Sequence, residues 1–152
     1  MPEALHYLGM YELRVGSPEA ADAHFLEEKD FEALTRRQGG IGNVGHLMVL
    51  AWQGRESEVR NLASTLAAAA RTHCWGWSLA RIEYAVALLE LSLGNYGAAP
   101  TRVADDMKND IALRAFSASD AIEAHARGGN RHVALSTIDT ALRPRTCKRN
   151  TT

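Results

Sequence analysis

Apolar residues recur every three or four positions through most of this chain, in blocks punctuated by glycine, and that rhythm predicts helices. The first helix is expected from about Glu3 to Val15, with Leu5, Leu8, Tyr11 or Glu12 and Val15 on successive turns. Gly16 ends it, because glycine takes the left-handed C-terminal conformation at no steric cost. Ser17-Pro18-Glu19 restarts a helix with a capping hydroxyl, a first-turn proline and an acid at the positive helix end. That second helix is expected to reach Arg37, carrying Phe25, Phe31 and Leu34, before the breaker Gln38-Gly39-Gly40-Ile41-Gly42. A third spans Val44 to Gln53 and a fourth Arg55 to Arg71, with a connection over Thr72 to Gly76. The fifth, Ser78 to Leu93, sets Ile82, Ala85, Val86, Leu89 and Leu93 on one stripe. Gly94 closes it and Asn95 caps a sixth, in which Pro100 demands a kink or a late start. Asp105 to Asp110 is polar and reads as a loop. A seventh helix ends near Arg127, and an eighth runs from Arg131 to Leu142 beyond Gly128-Gly129-Asn130.

Those eight helices form four antiparallel pairs with one feature in common. A glycine is followed five positions later by a small apolar residue and, four further on, by a larger one: Gly16–Ala21–Phe25, Gly54–Val59–Ala63, Gly94–Ala99–Val103 and Gly129–Ala134–Ile138. Only Ala63 is small where the others are bulky. The glycines lie 38, 40 and 35 residues apart, and self-similarity at that period predicts stacked helical hairpins. In such a stack the small residue lets the second helix approach the first, and the bulkier one fills the gap to the neighbour. The expected fold is therefore all-α, a superhelix of about four antiparallel hairpins over residues 1–142. Residues 143–152 carry no apolar pattern and are expected to form a disordered basic tail.

Composition narrows the class without changing it. The chain has 152 residues, enough to bury a core as one domain, and is 46% hydrophobic. Alanine dominates that fraction, while the scarcity of aromatics and β-branched residues disfavours a sheet. A formal charge of −1 supplies no field that would draw the chain to nucleic acid or an anionic membrane. Cys74 and Cys147 are too few for a disulfide framework, so a reducing cytoplasm is the expected compartment. No apolar run approaches a membrane span, and no signal peptide opens the chain.

Leu93-Gly94-Asn95-Tyr96-Gly97-Ala98-Ala99, completed by Val103, resembles the second half of a tetratricopeptide repeat, and the glycine–alanine pair returns at Gly16/Ala21 and Gly129/Ala134. The aromatic after the glycine occurs only as Tyr96. Ala51 to Arg60, with Tyr84 to Tyr96, is similar to the helical-repeat region of large actinobacterial LuxR-type regulators. Those resemble the maltose regulator in layout: an ATPase, a degenerate repeat array, then a helix-turn-helix. The chain has neither a phosphate-binding Gly-x-x-x-x-Gly-Lys-Ser/Thr loop nor a helix-turn-helix after Leu142. The likeness thus implies a sensor or repeat segment, a fragment or truncated product. It would be a non-enzymatic scaffold without cofactor or metal that makes no direct contact with nucleic acid or membrane.

The resemblance also implies where a partner binds. The first helix of each hairpin lines a concave groove, through His6, Met10 and Arg14; Val44, Met48 and Trp52; Tyr84, Leu88 and Ser92; and Ser119, Glu123 and Arg127. Val44, Met48 and Leu88 read better as core. Arg14, Trp52, Tyr84 and Arg127 remain as candidates to hold a protein partner or small inducer, since interfaces favour aromatics and arginine. Leu5, Leu8 and Tyr11 look built to meet a preceding repeat, which predicts self-association through exposed repeat ends. The alternative is a small α-helical enzyme or metal protein using His73-Cys74-Trp75-Gly76-Trp77. That cluster lacks both a second ligand pair and a base to activate Cys74, so an inter-repeat connection is the simpler expectation. His6, His24, His46, His125 and His132 are dispersed singly. Asp105, Asp106 and Asp110 lack the spacing of a calcium loop. Arg143, Arg145, Lys148 and Arg149 have no aromatic platform beside them.

Overall fold

The structure, a computed structural model, describes residues 2–35, 41–99 and 111–142, and among these every regular element is a helix. The helices are α1 (Pro2–Arg14), α2 (Pro18–Thr35), α3 (Ile41–Trp52), α4 (Glu56–Thr72), α5 (Gly76–Ser92), α6 (Ile111–Arg127) and α7 (Arg131–Leu142). α1 packs on α2, α2 on α3, α3 on α4 and α5, α4 on α5, α5 on α6 and α6 on α7, while α1 also touches α3. All these pairs join helices that are adjacent or next but one along the chain. None of the described helices is long and apolar enough to cross a membrane.

The turns share one construction. Gly16, Gly54, Gly94 and Gly129 all have positive φ, between 69° and 85°. At each, the glycine N–H donates to the carbonyl three residues back and the following N–H to the carbonyl five back, as in Gly16 to Leu13 (3.3 Å) and Ser17 to Glu12 (2.9 Å). This double bond satisfies carbonyls that a helix end otherwise leaves open. A fifth copy joins α4 to α5 with no glycine: Cys74 donates to Arg71 at 3.4 Å and Trp75 to Ala70 at 2.9 Å, and Cys74 itself sits at φ 56°.

The repeated small and large residues pack inside. Ala21, Phe25, Val59, Ala63, Ala99 and Ala134 are buried. Gly9 and Gly45 clamp the Phe25 ring from two sides, since a Cβ at Gly9 would come within 2.6 Å of the ring and one at Gly45 within 2.2 Å. Val44, Met48 and Leu88 are core, as expected. α5 is buried almost all round rather than along one stripe, and Leu93 at its end is exposed.

Several expectations are corrected. The buried side of α1 is His6, Gly9, Met10 and Leu13, whereas Leu8, Tyr11 and Val15 face outward. On α2 the inward positions are Ala21, Phe25, Glu28 and Glu32; Phe31 is exposed and Leu34 is 84% exposed. Both shifts have one cause: buried polar residues with partners occupy the inner face, and helical phase then turns the flanking apolar ones outward. Ile41 and Gly42 begin α3 instead of breaking the chain. A Cβ at Gly42 would lie 2.7 Å from the Phe25 carbonyl oxygen, so glycine is what lets the α2 and α3 backbones touch. Residues 95–99, expected to start a helix, form turns in which Ala98 N–H donates to the Asn95 carbonyl, and the Asn95 amide goes to Glu90 at 2.8 Å. The Pro100 kink, Val103, the Asp105–Asp110 loop and the basic tail fall outside the described residues.

Candidate functional site

Two polar clusters are built into the apolar interior, and both depend on α5. α1, α5 and α6 converge so that Arg14, Tyr84 and Asp120 meet, although Arg14 and Asp120 stand 106 residues apart. The Arg14 guanidinium grips the Asp120 carboxylate with two bonds, NH1 to Oδ1 at 2.8 Å and NH2 to Oδ2 at 2.7 Å. Arg14 NH2 also donates to the Tyr84 hydroxyl at 2.5 Å, and that hydroxyl donates to Asp120 Oδ2 at 2.6 Å. Exposed Ser119 approaches Arg14 NH1 at 3.4 Å.

The electrostatics follow from that triangle. Burial alone would ease a proton off Arg14, but its bonds to Asp120 outweigh this and hold the guanidinium pKa above its ordinary value. Burial, reinforced by the Asp120 charge, pushes the Tyr84 phenol far upward, so the hydroxyl stays protonated. A permanently charged donor, a permanently protonated hydroxyl and a doubly engaged carboxylate leave no free base or nucleophile in the cluster. What it can do is fix α1, α5 and α6 to one another and present a partly exposed guanidinium.

The second cluster lies deeper. His6 Nδ1 is 3.2 Å from Glu28 Oε2, and Arg81 NH1 contacts His6 Nε2. A guanidinium can only donate, so Nε2 accepts and Nδ1 carries the proton that goes to Glu28. The network joins α1, α2 and α5, and all three side chains are buried. One turn along α2, Glu32 accepts the Ile41 amide at 3.0 Å and the Gly42 amide at 3.4 Å, capping the positive end of α3. Burial raises the Glu32 pKa, and those two amides pull it only part of the way back.

Of the four groove candidates, the structure brings Arg14 and Tyr84 together and leaves two apart. Tyr84 is buried, so its ring belongs to the core and only its hydroxyl takes part in the cluster. Trp52, the last residue of α3, is 40% exposed. Arg127, at the end of α6, is exposed, pairs with Glu123 at 3.0 Å and lies over the Tyr96 ring at 5.9 Å. Sequence reasoning misses Asp120, one of two acids with Glu123 among the small and apolar residues from Ser117 to Ala124. The turn glycines Gly16, Gly54, Gly94 and Gly129 each lie two residues beyond a helix end. In the His73–Trp77 segment, His73 stacks on Trp75 at 4.7 Å and Cys74 is an exposed free thiol; the side chain of Trp77 lies outside the description. Among the described residues no group of three or more His, Cys, Asp or Glu is placed to hold a metal. The other histidines lie singly, His46 against Asp22 at 2.5 Å.

No family model matches the chain, and no curated protein or solved structure is significantly similar to it.

Proposed function

We propose that this chain is a non-enzymatic interaction scaffold, a tetratricopeptide-like superhelix whose inner face receives a protein partner or a small inducer. The observation that carries the reading is the convergence of Arg14, Tyr84 and Asp120 from three helices far apart in sequence. A succession of hairpins with each first helix on the same side would bring those positions together. Most of the interhelical packing also joins helices adjacent or next but one along the chain, which supports it as well. The surface offered would be the partly exposed Arg14 guanidinium, Ser119 and Ser92, with Trp52 at one edge.

The regulator assignment, the sensor segment of a LuxR-type protein in the cytoplasm, rests on the likeness of Ala51–Arg60 and Tyr84–Tyr96. In that setting a bound inducer would favour one of two packings of the array. Flanking genomic DNA tests it: an in-frame ATPase upstream or helix-turn-helix downstream supports the assignment, and unrelated genes on both sides remove it.

Groove binding is tested by selecting binders from a random 12-residue phage-displayed peptide library on the full chain and mapping them by amide chemical shifts. The expected peptides perturb residues around Arg14, Trp52, Ser92 and Ser119, and lose binding in Trp52→Ala. Selected peptides that map elsewhere, or bind Trp52→Ala unchanged, remove the groove. Stoichiometric zinc or iron in the purified protein would favour the enzyme or metal-protein alternative.

A further inference from the structure

His6, on α1, stands between an anion and a cation inside the fold. Its Nδ1 lies 3.2 Å from Glu28 Oε2 on α2, and its Nε2 takes a hydrogen bond from Arg81 NH1 on α5. The ring is 2% exposed and packs on Phe25 of α2, with 5.5 Å between centroids. Among the described residues α1 packs on α2 and α3 but not closely on α5. Long polar side chains span that distance instead, His6 to Arg81 at one end and Arg14 to Tyr84 at the other.

A proton added to His6 acts in opposite directions on its two sides. The neutral ring offers one donor and one acceptor, whereas the charged ring offers two donors. On the Glu28 side the hydrogen bond survives and becomes charge-assisted. Glu28 is wholly buried and its Oε1 has no partner, so the carboxylate gains from a cation beside it. On the Arg81 side the acceptor disappears. An N–H would then point at a guanidinium that can only donate, and two cations would touch out of water. The other groups around the ring do not reverse this. Glu32, one turn along α2, attracts the charged ring from the same side as Glu28. Tyr7, next on α1, meets the ring edge-on. His46, the one titratable side chain of α3, is turned to Asp22.

We propose that His6 is a proton-operated clasp: uncharged it ties α1 to α5 through Arg81, and charged it releases Arg81 while keeping Glu28. The first turns of α1 then swing off α5 and stay on α2. Arg14, two turns further along, remains fastened by its double grip on Asp120, so α1 pivots about that end. The proton acts as a ligand that binds the released state better and shifts the population towards it. The window is about pH 5 to 8, where imidazoles change charge. The device needs no groove ligand, and groove binding does not depend on it.

Imidazole and nuclear Overhauser spectra of the isotope-labelled full chain at about pH 7.5 and about pH 5.5 test the clasp. At the higher pH the ring is expected to carry its proton on Nδ1 and to show cross-peaks to both Phe25 and Arg81. At the lower pH both ring nitrogens are protonated, the Arg81 cross-peak is lost and the Phe25 cross-peak remains. His6→Gln offers a donor and an acceptor without charging, and it abolishes the pH response of the α5 amides around Arg81. His46→Gln leaves that response intact. If His6→Gln does not fold, the wild-type cross-peaks decide alone. A proton on Nε2 at the higher pH, a charged ring that keeps Arg81, a ring that never charges, or loss of both cross-peaks together would each overturn the proposal. So would an Arg81 response that persists in His6→Gln.

Discussion

Replacing Gly45 by alanine sets two effects of opposite sign against each other, and the structure decides which wins. Alanine in a helix interior is favoured over glycine by about 1 kcal/mol, so an unobstructed site in α3 would gain stability. Gly45 is obstructed. The new methyl would stand 2.2 Å from Cδ1 and 2.4 Å from Cγ of Phe25, where carbon atoms rest about 3.5–4.0 Å apart. The overlap exceeds about 1 Å, and the ring has nowhere to retreat because Gly9 of α1 packs against its other side. Overpacking typically costs about 1–3 kcal/mol, and a ring held from both sides belongs at the upper end. Set against the propensity gain, the net loss is about 2 kcal/mol, or about 4–8 °C in Tm for a chain of this size. Thermal and urea unfolding followed by circular dichroism measure it. A control separates the clash from a general weakness: Gly45→Ala combined with Phe25→Leu should cost less than the sum of the two single changes. A Tm for Gly45→Ala equal to or above wild type would refute the packing described here.

Further outcomes follow from the turns and the buried acids. Cys74→Gly removes a side chain from a left-handed position and should raise stability by about 0.5–1 kcal/mol, read as a higher urea midpoint with unchanged slope; a lower midpoint contradicts the turn geometry. Gly54→Ala at φ 69° should lower stability by about 1 kcal/mol in the same assay. Glu32 carries a pH dependence whose sign is fixed. A carboxyl whose folded pKa stands above its usual 4.5 penalises folding while ionised, and the penalty lifts as pH falls through that raised value toward 4.5. The stability of Glu32→Gln relative to wild type is therefore greatest near neutrality and declines on acidification; a difference flat with pH, or rising as pH falls, contradicts it.

Much of the helix layout was legible because glycine at a helix end leaves a signature in both conformation and sequence. Gly16, Gly54, Gly94 and Gly129 could be read as turns from spacing alone, and the described helices beside them begin and end within a few residues of expectation, apart from the one expected from Asn95, where residues 95–99 form turns. The connection expected over Thr72 to Gly76 is the fifth turn, but its kinship with the other four was hidden because Cys74 adopts the glycine conformation without being glycine. Hydropathy misread the faces of α1 and α2 for a physical reason. His6, Glu28 and Glu32 are polar yet buried, each with a partner on another helix although Glu28 Oε1 has none, and one sequence does not reveal pairing at a distance. With those residues assigned to solvent, the phase of each helix slips and the outward residues Leu8, Tyr11 and Leu34 look like core. The site was half legible for the same reason. Arg14 and Tyr84 stood out by residue type, whereas Asp120 acquires its role only once α6 is laid beside α5.

The central claim is that the packing of these helices brings α1, α5 and α6 onto one polar cluster, and a double-mutant cycle on Arg14 and Asp120 measures it. Both side chains are mostly buried, at 23% and 11% exposed, so solvent screens the pair only in part. Arg14→Ala, Asp120→Ala and the double variant, compared by urea unfolding, should give a coupling energy of about 1–3 kcal/mol. Additivity within about 0.3 kcal/mol would mean that residues 14 and 120 do not meet, and the polar cluster described here would not exist.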